Sequence, residues 1–326
     1  MTEEILKDLY RIPVTLPNSP LKLLNSYVIK GGDRNIIIDT GFRRTECLES
    51  MQAGIRELGL DMNRTDILLT HLHADHTGLA PTLATRESKV YISRKELPWM
   101  YGETREKLWA QDNEKFIRAG FSREQVYDNL KFAVSRNMAS EKDFQGYLPI
   151  DGGDVFTCGD YELRAVSTPG HTPEHMCFWV EDKKIMFTGD HVLFDITPNI
   201  TLWNEVEDSL GDYLKSLREI NKYDVRLALP GHRGMGDFHG RIKSLLAHHD
   251  ARLEECLQVV KNNPDSSIYD ITGKMTWKIR CNSWDDFPIG QKWFAVGECH
   301  SHLRHLEKLG KVVADYSEEI IRYHAV

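Results

Sequence analysis

The chain has 326 residues, 41% of them hydrophobic and 28% charged, a composition typical of a globular protein with one large domain or a domain and a smaller appendage. The formal net charge of −8 argues against a nucleic-acid-binding surface spread over the whole chain. No apolar run approaches the roughly 18 to 20 residues of a membrane span, the N-terminus MTEEILKDLY has no apolar segment of a signal peptide, and the six cysteines form no C-x-x-C pair. We therefore expect a cytoplasmic protein with reduced thiols.

Short β-branched runs alternate with helical patterns over the first hundred residues. Strands are indicated by runs of β-branched residues bounded by Gly or Asn, and helices by apolar residues three or four positions apart. The elements predicted in this way are strands over 26–29 and 35–41, a helix over 45–60, a strand over 66–70, a helix over 76–86 and a strand over 90–93. Such alternation is typical of a layered α/β fold.

A segment rich in charged and aromatic residues, 94–147, interrupts this alternation and has a mostly helical pattern. The elements predicted after it are strands within 161–191, a helix over 209–223, a strand over 225–232, a long helix over 239–262, two further helices and a two-stranded hairpin that ends the chain. We expect residues 1–245 to form one domain, with 94–147 as a helical cap insertion. Residues 246–326 are expected to form a small winged-helix-like module.

Four potential metal ligands follow the predicted strand DILLT within six positions: His71, His73, Asp75 and His76. Residues two apart share a face on extended backbone but point apart on a helix, so His71 and His73 can converge on one ion only where the chain is extended. Asp75 and His76 come at the turn into the next helix and can point to a second ion. The spacing differs from the helical H-E-x-x-H pattern, in which the two histidines are four residues apart.

Three later strand-like runs also end in a histidine or an aspartate. His171 follows a strand and a Pro-Gly turn, Asp190 follows the strand IMF, and His232 follows the strand LAL and a second Pro-Gly turn. Ligands gather at the ends of strands in α/β sheets. The repeated pattern therefore predicts that these residues join the first four in a site for two adjacent ions.

This ordered series resembles the ligand ladder of the metallo-β-lactamase superfamily: an early Asp, then H-x-H-x-D-H, then His, Asp and His. The positions that match here are Asp39, His71, His73, Asp75, His76, His171, Asp190 and His232, within about residues 1 to 240. The resemblance implies an α/β fold, a four-layer αββα sandwich of two mixed sheets flanked by helices. It also implies a dinuclear metal site.

The resemblance also assigns a role to each matching position. It implies that His71, His73 and His171 hold the first ion, that Asp75, His76 and His232 hold the second, and that Asp190 bridges both. Asp39 is expected to be structural, and Asp75 to serve as catalytic proton acceptor as well as ligand. His175 and His191 flank the ligands, where they would support them, contact substrate or simply pack at the sheet edge. Imidazole and carboxylate ligands favour two Zn²⁺ ions, with Fe or Mn remaining open.

Two ions about 3.5 to 4 Å apart can share a water and lower its pKa towards neutrality. The resulting hydroxide would attack a small acyl thioester or ester, the favoured substrates. Trp99, Tyr101, Trp109 and Phe116 of the helical segment would either line an apolar pocket over the metals or pack the helices together. An apolar lid suits an acyl chain better than a long nucleic acid.

The sequence is compatible with three classes of function. The first is a thioesterase or glyoxalase-II-like hydrolase, with a lactonase as a variant that the sequence does not separate. The second is a metal-dependent endoribonuclease or phosphodiesterase, and the third is a binding module with a structural metal pair. Residues 241–326 contain 12 Lys and Arg against 12 Asp and Glu, whereas DNA-binding modules are usually basic. We therefore expect a small-molecule substrate, no nucleic-acid or membrane partner, and a C-terminal module that acts as a lid, a pocket wall or a homodimer contact.

Overall fold

Two β-sheets pack face to face in the computed structural model, which describes residues 1–131, 138–278 and 281–326. The first sheet contains strands β1 to β7 in sequence order: Glu3–Leu6, Leu9–Thr15, Leu23–Lys30, Asn35–Ile38, Thr65–Leu68, Val90–Ser93 and Tyr147–Ile150. The second contains β8 to β12 in the order β12-β11-β10-β9-β8: Val155–Cys158, Tyr161–Ser167, Met176–Val180, Ile185–Gly189 and Leu227–Pro230. Both sheets are mixed, since β4 to β7 pair in parallel, as do β11 and β12, while their other pairings are antiparallel.

Helices cover the outer faces of the two sheets. The helices α1 to α10 are Thr45–Leu58, Ala74–Thr77, Ala80–Leu83, Leu97–Met100, Gly102–Arg118, Arg123–Lys131, Ser209–Ile220, Phe238–Asn262, Ile268–Lys274 and Ile289–Lys308. Helices α1 to α3 pack in one apolar core with the first sheet, and α7 packs in another with the second sheet. A third core lies between the sheets. These layers form the predicted αββα sandwich.

Strand β10, MCFWV, shows how the sequence builds these layers. Every one of its residues is buried, because both faces of the strand are covered. Met176, Phe178 and Val180 face the core between the sheets, whereas Cys177 and Trp179 join the core that contains α7. This two-residue alternation is the geometric signature of a strand.

The helix predicted over 76–86 is instead two short helices, α2 and α3. Pro81 lies in the first turn of α3 and has no backbone N–H with which to continue a helix from α2. Gly78 lies between them, where an added Cβ would lie 2.5 Å from Arg43 N. The chain therefore turns at a point of close backbone approach.

The C-terminal region contains the two helices and the hairpin that the sequence predicted. The hairpin pairs β14, Val312–Asp315, with β15, Arg322–Ala325, and the short strand β13, Ser266–Ser267, pairs with the other side of β15. Helix α8 runs through the expected boundary at 245/246, and one apolar core joins α7 to α8, α9 and α10. The winged-helix assignment and the division into domains stay predictions. Within the described residues, no helix combines the length and the apolar character that a membrane crossing needs.

Candidate metal centre

Five strands of the two sheets end at one place, and each end presents a His or an Asp. Asp39 follows β4, His71 and His73 follow β5, and a Pro-Gly turn connects β9 to His171. Asp190 follows β11 directly, and a glycine separates β12 from His232. Asp39 and six of the seven predicted metal ligands are buried, and the seventh, His73, is half-buried. The sequence-predicted ligands therefore meet at one edge of the sandwich.

Three imidazoles converge in a first group. His73 Nδ1 lies 2.9 Å from His71 Nε2 and 3.1 Å from His171 Nε2. His73 has extended backbone, with φ −61° and ψ 146°, as the two-residue spacing required. Ring nitrogens that face one another at such short distances can bind one shared cation.

A second group combines a carboxylate with two imidazoles. Asp75 and His76 lie on α2, and Asp75 Oδ2 is 3.3 Å from His232 Nε2. The candidate donor atoms of these three residues all lie within 4.8 Å of one another, as do those of the first group. The two groups coincide with the two ligand sets expected from the sequence.

Asp190 lies between the two groups. Its Oδ1 is 3.6 Å from His76 Nε2, and its Oδ2 is 3.5 Å from His232 Nε2 and 3.9 Å from His171 Nε2. Within the described chain, His76 Nε2, His232 Nε2 and Asp190 Oδ1 are buried without a hydrogen-bond partner. Because buried polar atoms are normally satisfied, this unsatisfied donor set fits bound cations.

The two groups differ in their protonation. Burial, together with the neighbouring His171, lowers the pKa of His73 to about 3, and burial and the neighbouring rings also hold the pKa of His71 well below its usual range. Burial would also lower the pKa of His76, but the carboxylates of Asp39, Asp190 and Asp75 outweigh it and hold that pKa well above its usual range. The rings of the first group therefore favour the neutral form with free lone pairs, while the carboxylates favour a protonated His76, so a cation that binds to the second group would displace a proton.

Each of three ligand histidines donates its other ring N–H to a fixed acceptor. His76 Nδ1 lies 2.8 Å from Asp39 Oδ2, His171 Nδ1 lies 2.9 Å from Asn199 O, and His232 Nδ1 lies 2.8 Å from Leu23 O. When these rings are neutral, the contacts keep the proton on Nδ1 and leave the Nε2 lone pair facing the centre. Such support is what metal-binding histidines normally have.

The metallo-beta-lactamase superfamily model matches residues 22–232, which contain every residue of this centre. The chain belongs to this superfamily. A metallo-beta-lactamase family protein from Thermus thermophilus has a TM-score of 0.81 at 28% identity, over 99% of this chain and 100% of that one. A beta-lactamase domain protein from Burkholderia ambifaria has a TM-score of 0.80 at 25% identity, over 100% of this chain and 93% of that one.

Several curated relatives of this superfamily member come from Emericella and Aspergillus species. The atrochrysone carboxyl ACP thioesterase of Emericella nidulans is 29% identical over 208 residues, which are 64% of this chain but 50% of that protein. A similarly named thioesterase of Aspergillus aculeatus is 28% identical, over 76% of this chain and 64% of its own length. The lactamase-like protein adaB of Aspergillus niger is 27% identical over 84% of this chain and 81% of that protein. The match to the two thioesterases thus spans between half and two thirds of their length.

Asp39 lies beside the two donor groups and accepts hydrogen bonds there. Its Oδ1 accepts from Thr70 N at 2.9 Å, and its Oδ2 accepts from Thr70 Oγ1 at 2.8 Å as well as from His76. Asp39 has a φ of 61°, in the left-handed region that few residues other than glycine adopt. Three hydrogen bonds to one carboxylate hold the Asp39 side chain in place.

His175 and His191 lie behind the ligands. His175 Nε2 accepts from Asp190 N at 3.2 Å, and His175 Nδ1 lies 2.9 Å from Thr168 Oγ1. His191 packs between the rings of His175 and Tyr213, with centroids at 5.8 and 5.0 Å. Both histidines are fully buried, so the geometry favours support and packing over contact with substrate.

Glu96 was missed by the sequence reasoning. It is fully buried in the loop that follows β6, and its Oε1 accepts from Glu174 N at 3.0 Å. Burial raises its pKa to about 7, against the hydrogen bond from Glu174 N, which favours the ionised form. Glu174 lies three residues after His171, so Glu96 anchors the loop that carries this ligand of the first group.

An aromatic wall lies beside the first group. Trp203, also missed, has its ring centroid 6.1 Å from that of His73 and 5.1 Å from that of Trp99. Trp99, Trp203 and Leu108 form a small buried cluster, against which Leu72 and Trp109 pack. Phe116 instead stacks on Trp293 at 3.5 Å, and Tyr101 packs against Tyr147. Of the two expected roles, Phe116 therefore has the packing role, while Trp99 packs and also supports the wall near the centre.

Proposed function

We propose that this chain is a dinuclear metal-dependent hydrolase that acts on a small acyl thioester or ester. The observation that carries the proposal is the convergence of two three-residue donor groups, which a third group of His71, His76 and Asp190 connects. Two ions bound there would lower the pKa of a water and polarise the carbonyl to be cleaved. A closed structural zinc site would favour cysteine ligands, and the groups contain none.

In this proposal His71, His73 and His171 hold one ion, Asp75, His76 and His232 hold the other, and Asp190 contacts both. Zinc suits the imidazole and carboxylate set, and iron or manganese would fit the same donors. Asp75 is proposed as the proton acceptor. Burial would raise its pKa, but His76 and His232 lower it to about 2, so its carboxylate is ionised at neutral pH. Asp75 is also 8% exposed, whereas His71 and His76 are 0% exposed.

Two features favour an acyl thioester as the substrate. The wall of Trp203 and Trp99 is apolar and lies beside His73, where an acyl group would be shielded from water. Two relatives at 28 to 29% identity carry names of acyl-carrier-protein thioesterases. An acyl group linked to a phosphopantetheine-type thiol would fit the apolar wall and agree with these names.

The test is metal analysis followed by a substrate panel. The panel contains an acyl-CoA, an acyl-pantetheine, a glutathione thioester, a lactone, bis-nitrophenyl phosphate and single-stranded RNA. We expect about two metal equivalents per chain, thioester turnover above that of the other compounds, and loss of turnover on chelation that added Zn²⁺ restores. Turnover of RNA or the phosphodiester alone would replace the proposal with a nuclease, and lactone turnover alone with a lactonase.

A further inference from the structure

Helix α10 packs directly on the loop that follows the candidate bridging residue. Ser301 Oγ donates to Ile200 O at 2.6 Å. Gly297 faces the same loop, and an added Cβ there would lie 2.5 Å from Thr201 Oγ1. The helix therefore approaches residues 199–201 as closely as its backbone allows.

The other side of this loop contacts His171. Asn199 O accepts from His171 Nδ1 at 2.9 Å, and Trp203 Nε1 donates to His171 O at 3.1 Å. The loop therefore holds both the ring and the main chain of one candidate ligand. Its position decides where His171 Nε2 points.

The side chain of Asn199 connects this loop to the C-terminal helices. Asn199 Nδ2 donates to Phe294 O at 3.2 Å and lies 3.4 Å from Glu298 Oε2, both on α10. The other carboxylate oxygen of Glu298 lies 3.7 Å from Arg252 Nε on α8. The side chains of Arg252 and Glu298 are only 10% and 14% exposed, so this polar contact is shielded from competing water.

We propose that Asn199 and Glu298 are positioning residues through which the C-terminal helices orient His171 in the metal centre. The inference rests on the proposed function in that it takes His171 as a metal ligand. When Asn199 O is held in place, His171 keeps its proton on Nδ1, and the Nε2 lone pair faces His73. When the contact between Asn199 and Glu298 is lost, residue 199 loses an anchor to α10, and both ring tautomers and other orientations of the His171 ring become more accessible. The C-terminal region is then part of the first ion's site although it supplies no ligand.

Two variants test this connection, each with a matched control. Asn199→Ala keeps the carbonyl that His171 uses but removes the side chain that anchors it, and Glu298→Gln removes a charge with little change of shape. Asn204→Ala alters the same loop at an exposed side chain that contacts Asp112, and Glu307→Gln alters a carboxylate of α10 that pairs with Arg304 instead. All four proteins are first compared by thermal unfolding.

The main readout is the affinity of the protein for each of two metal ions, one bound more tightly than the other. Chelator competition measures it with Zn²⁺, and the visible absorption of the bound ion measures it with Co²⁺. We expect N199A and E298Q each to weaken the binding of one of the two ions by about tenfold or more, the range seen when support of a metal ligand is lost. Both controls should stay within about twofold of the wild type. The double variant N199A/E298Q should lose little more than N199A, because both changes act on the same contact, which N199A removes and E298Q weakens.

A second readout needs no metal. In the metal-free protein, long-range ¹H–¹⁵N spectra of the histidine rings should show the Nδ1–H tautomer for His171 in the wild type and in N204A, and a mixture in N199A. If the wild type binds no metal or cleaves no thioester, the proposed function fails while the tautomer still decides the inference. The inference is overturned if N199A and E298Q match their controls in both readouts, or if the double variant shows fully additive losses.

Discussion

His76 and His232 of the second donor group and the histidines of the C-terminal helices are buried alike but have opposite electrostatic surroundings. In the C-terminal helices His249 Nδ1 lies 3.2 Å from His302 Nε2, and His302 Nδ1 donates to Glu298 O at 2.7 Å. Both rings are 0% exposed, as are those of His71, His76 and His232. Burial and ring-to-ring contact are therefore common to the two clusters.

What separates the two clusters is the charge that faces them. Burial lowers the pKa of His249 to about 2, and its neighbours His302, His248 and Arg252 add to that effect. At the strand ends Asp75 and Asp190 act in the opposite direction and raise the pKa of His232 above its usual value against the effect of burial. Within the described residues, the groups of three or more donors all lie at the strand ends. A cluster of buried histidines thus has the character of a metal centre when carboxylates converge with it, and that of a hydrogen-bonded core when they do not.

The largest effect on the strand-end cluster is expected when the carboxylate of Asp190, which lies between the two donor groups, is removed. We expect Asp190→Ala to lose at least one metal equivalent and to lower turnover by about three orders of magnitude or more, because water activation near neutral pH depends on the metals. Metal content by elemental analysis and thioester turnover check this result. Asp224→Ala, at an exposed aspartate before β12, is the control and should keep both. Full metal content and turnover in D190A would exclude Asp190 as a ligand.

Glu96 is a buried carboxyl beside the centre that belongs to neither donor group, so it tests how burial alone affects a carboxyl there. Burial raises its pKa from 4.5 to about 7 in the folded chain. Between those values the folded state binds a proton that the unfolded state has released, so this residue's contribution to stability is lost as pH rises through about 7. Glu96→Gln cannot titrate and should remove that loss, which at about 1.4 kcal/mol per pKa unit is of the order of 3 kcal/mol.

The measurement for Glu96 is urea unfolding of the metal-free protein at pH 5 and pH 8. The metal-free form is used because nearby cations would favour the ionised carboxylate. E96Q should lose less stability than the wild type between the two pH values, while Glu103→Gln, at an exposed position of α5, should follow the wild type. Identical pH dependence in E96Q and the wild type would show that Glu96 is ionised in the folded protein throughout.

The smallest effect is expected in the C-terminal cluster. His249→Phe keeps a ring against Tyr213 but leaves His302 Nε2 without its donor, which should cost about 1 to 3 kcal/mol of unfolding free energy. His249→Asn retains an N–H near the position of Nδ1 and should cost less. Chemical unfolding gives the stability, and elemental analysis should find unchanged metal content in both variants. A metal equivalent lost in H249F but not in H249N would mean that this cluster, too, supports an ion.

The candidate ligands could be recognised from the sequence because they follow apolar strands. The spacing of His71 and His73 required extended backbone, and the structure has it at His73. Most strands of the two sheets were predicted from apolar, β-branched runs, and the longer helices from apolar periodicity. Glu96, Asn199 and Trp203 could not be recognised, because their contacts join distant parts of the chain. Glu96 meets a residue 78 positions away, and Asn199 meets one 99 positions away. Such pairs depend on how the layers pack, and no local pattern encodes them.

The helix over 76–86 shows a local error with a local cause. The apolar spacing there is helical, but Pro81 and the tight approach at Gly78 divide it into two turns. The first of these turns, α2, presents Asp75 and His76 to the second donor group. Two ligands of the second proposed ion therefore lie on the short helix that precedes the break.

Anomalous diffraction from crystals grown with Zn²⁺ tests the proposed dinuclear centre most directly. We expect two peaks about 3.5 to 4 Å apart, one among His71, His73 and His171 and the other among Asp75, His76 and His232. The Asp190 carboxylate should contact both. A single peak, or a peak at His249 and His302 in place of the strand ends, would contradict the dinuclear centre and the hydrolysis proposed from it.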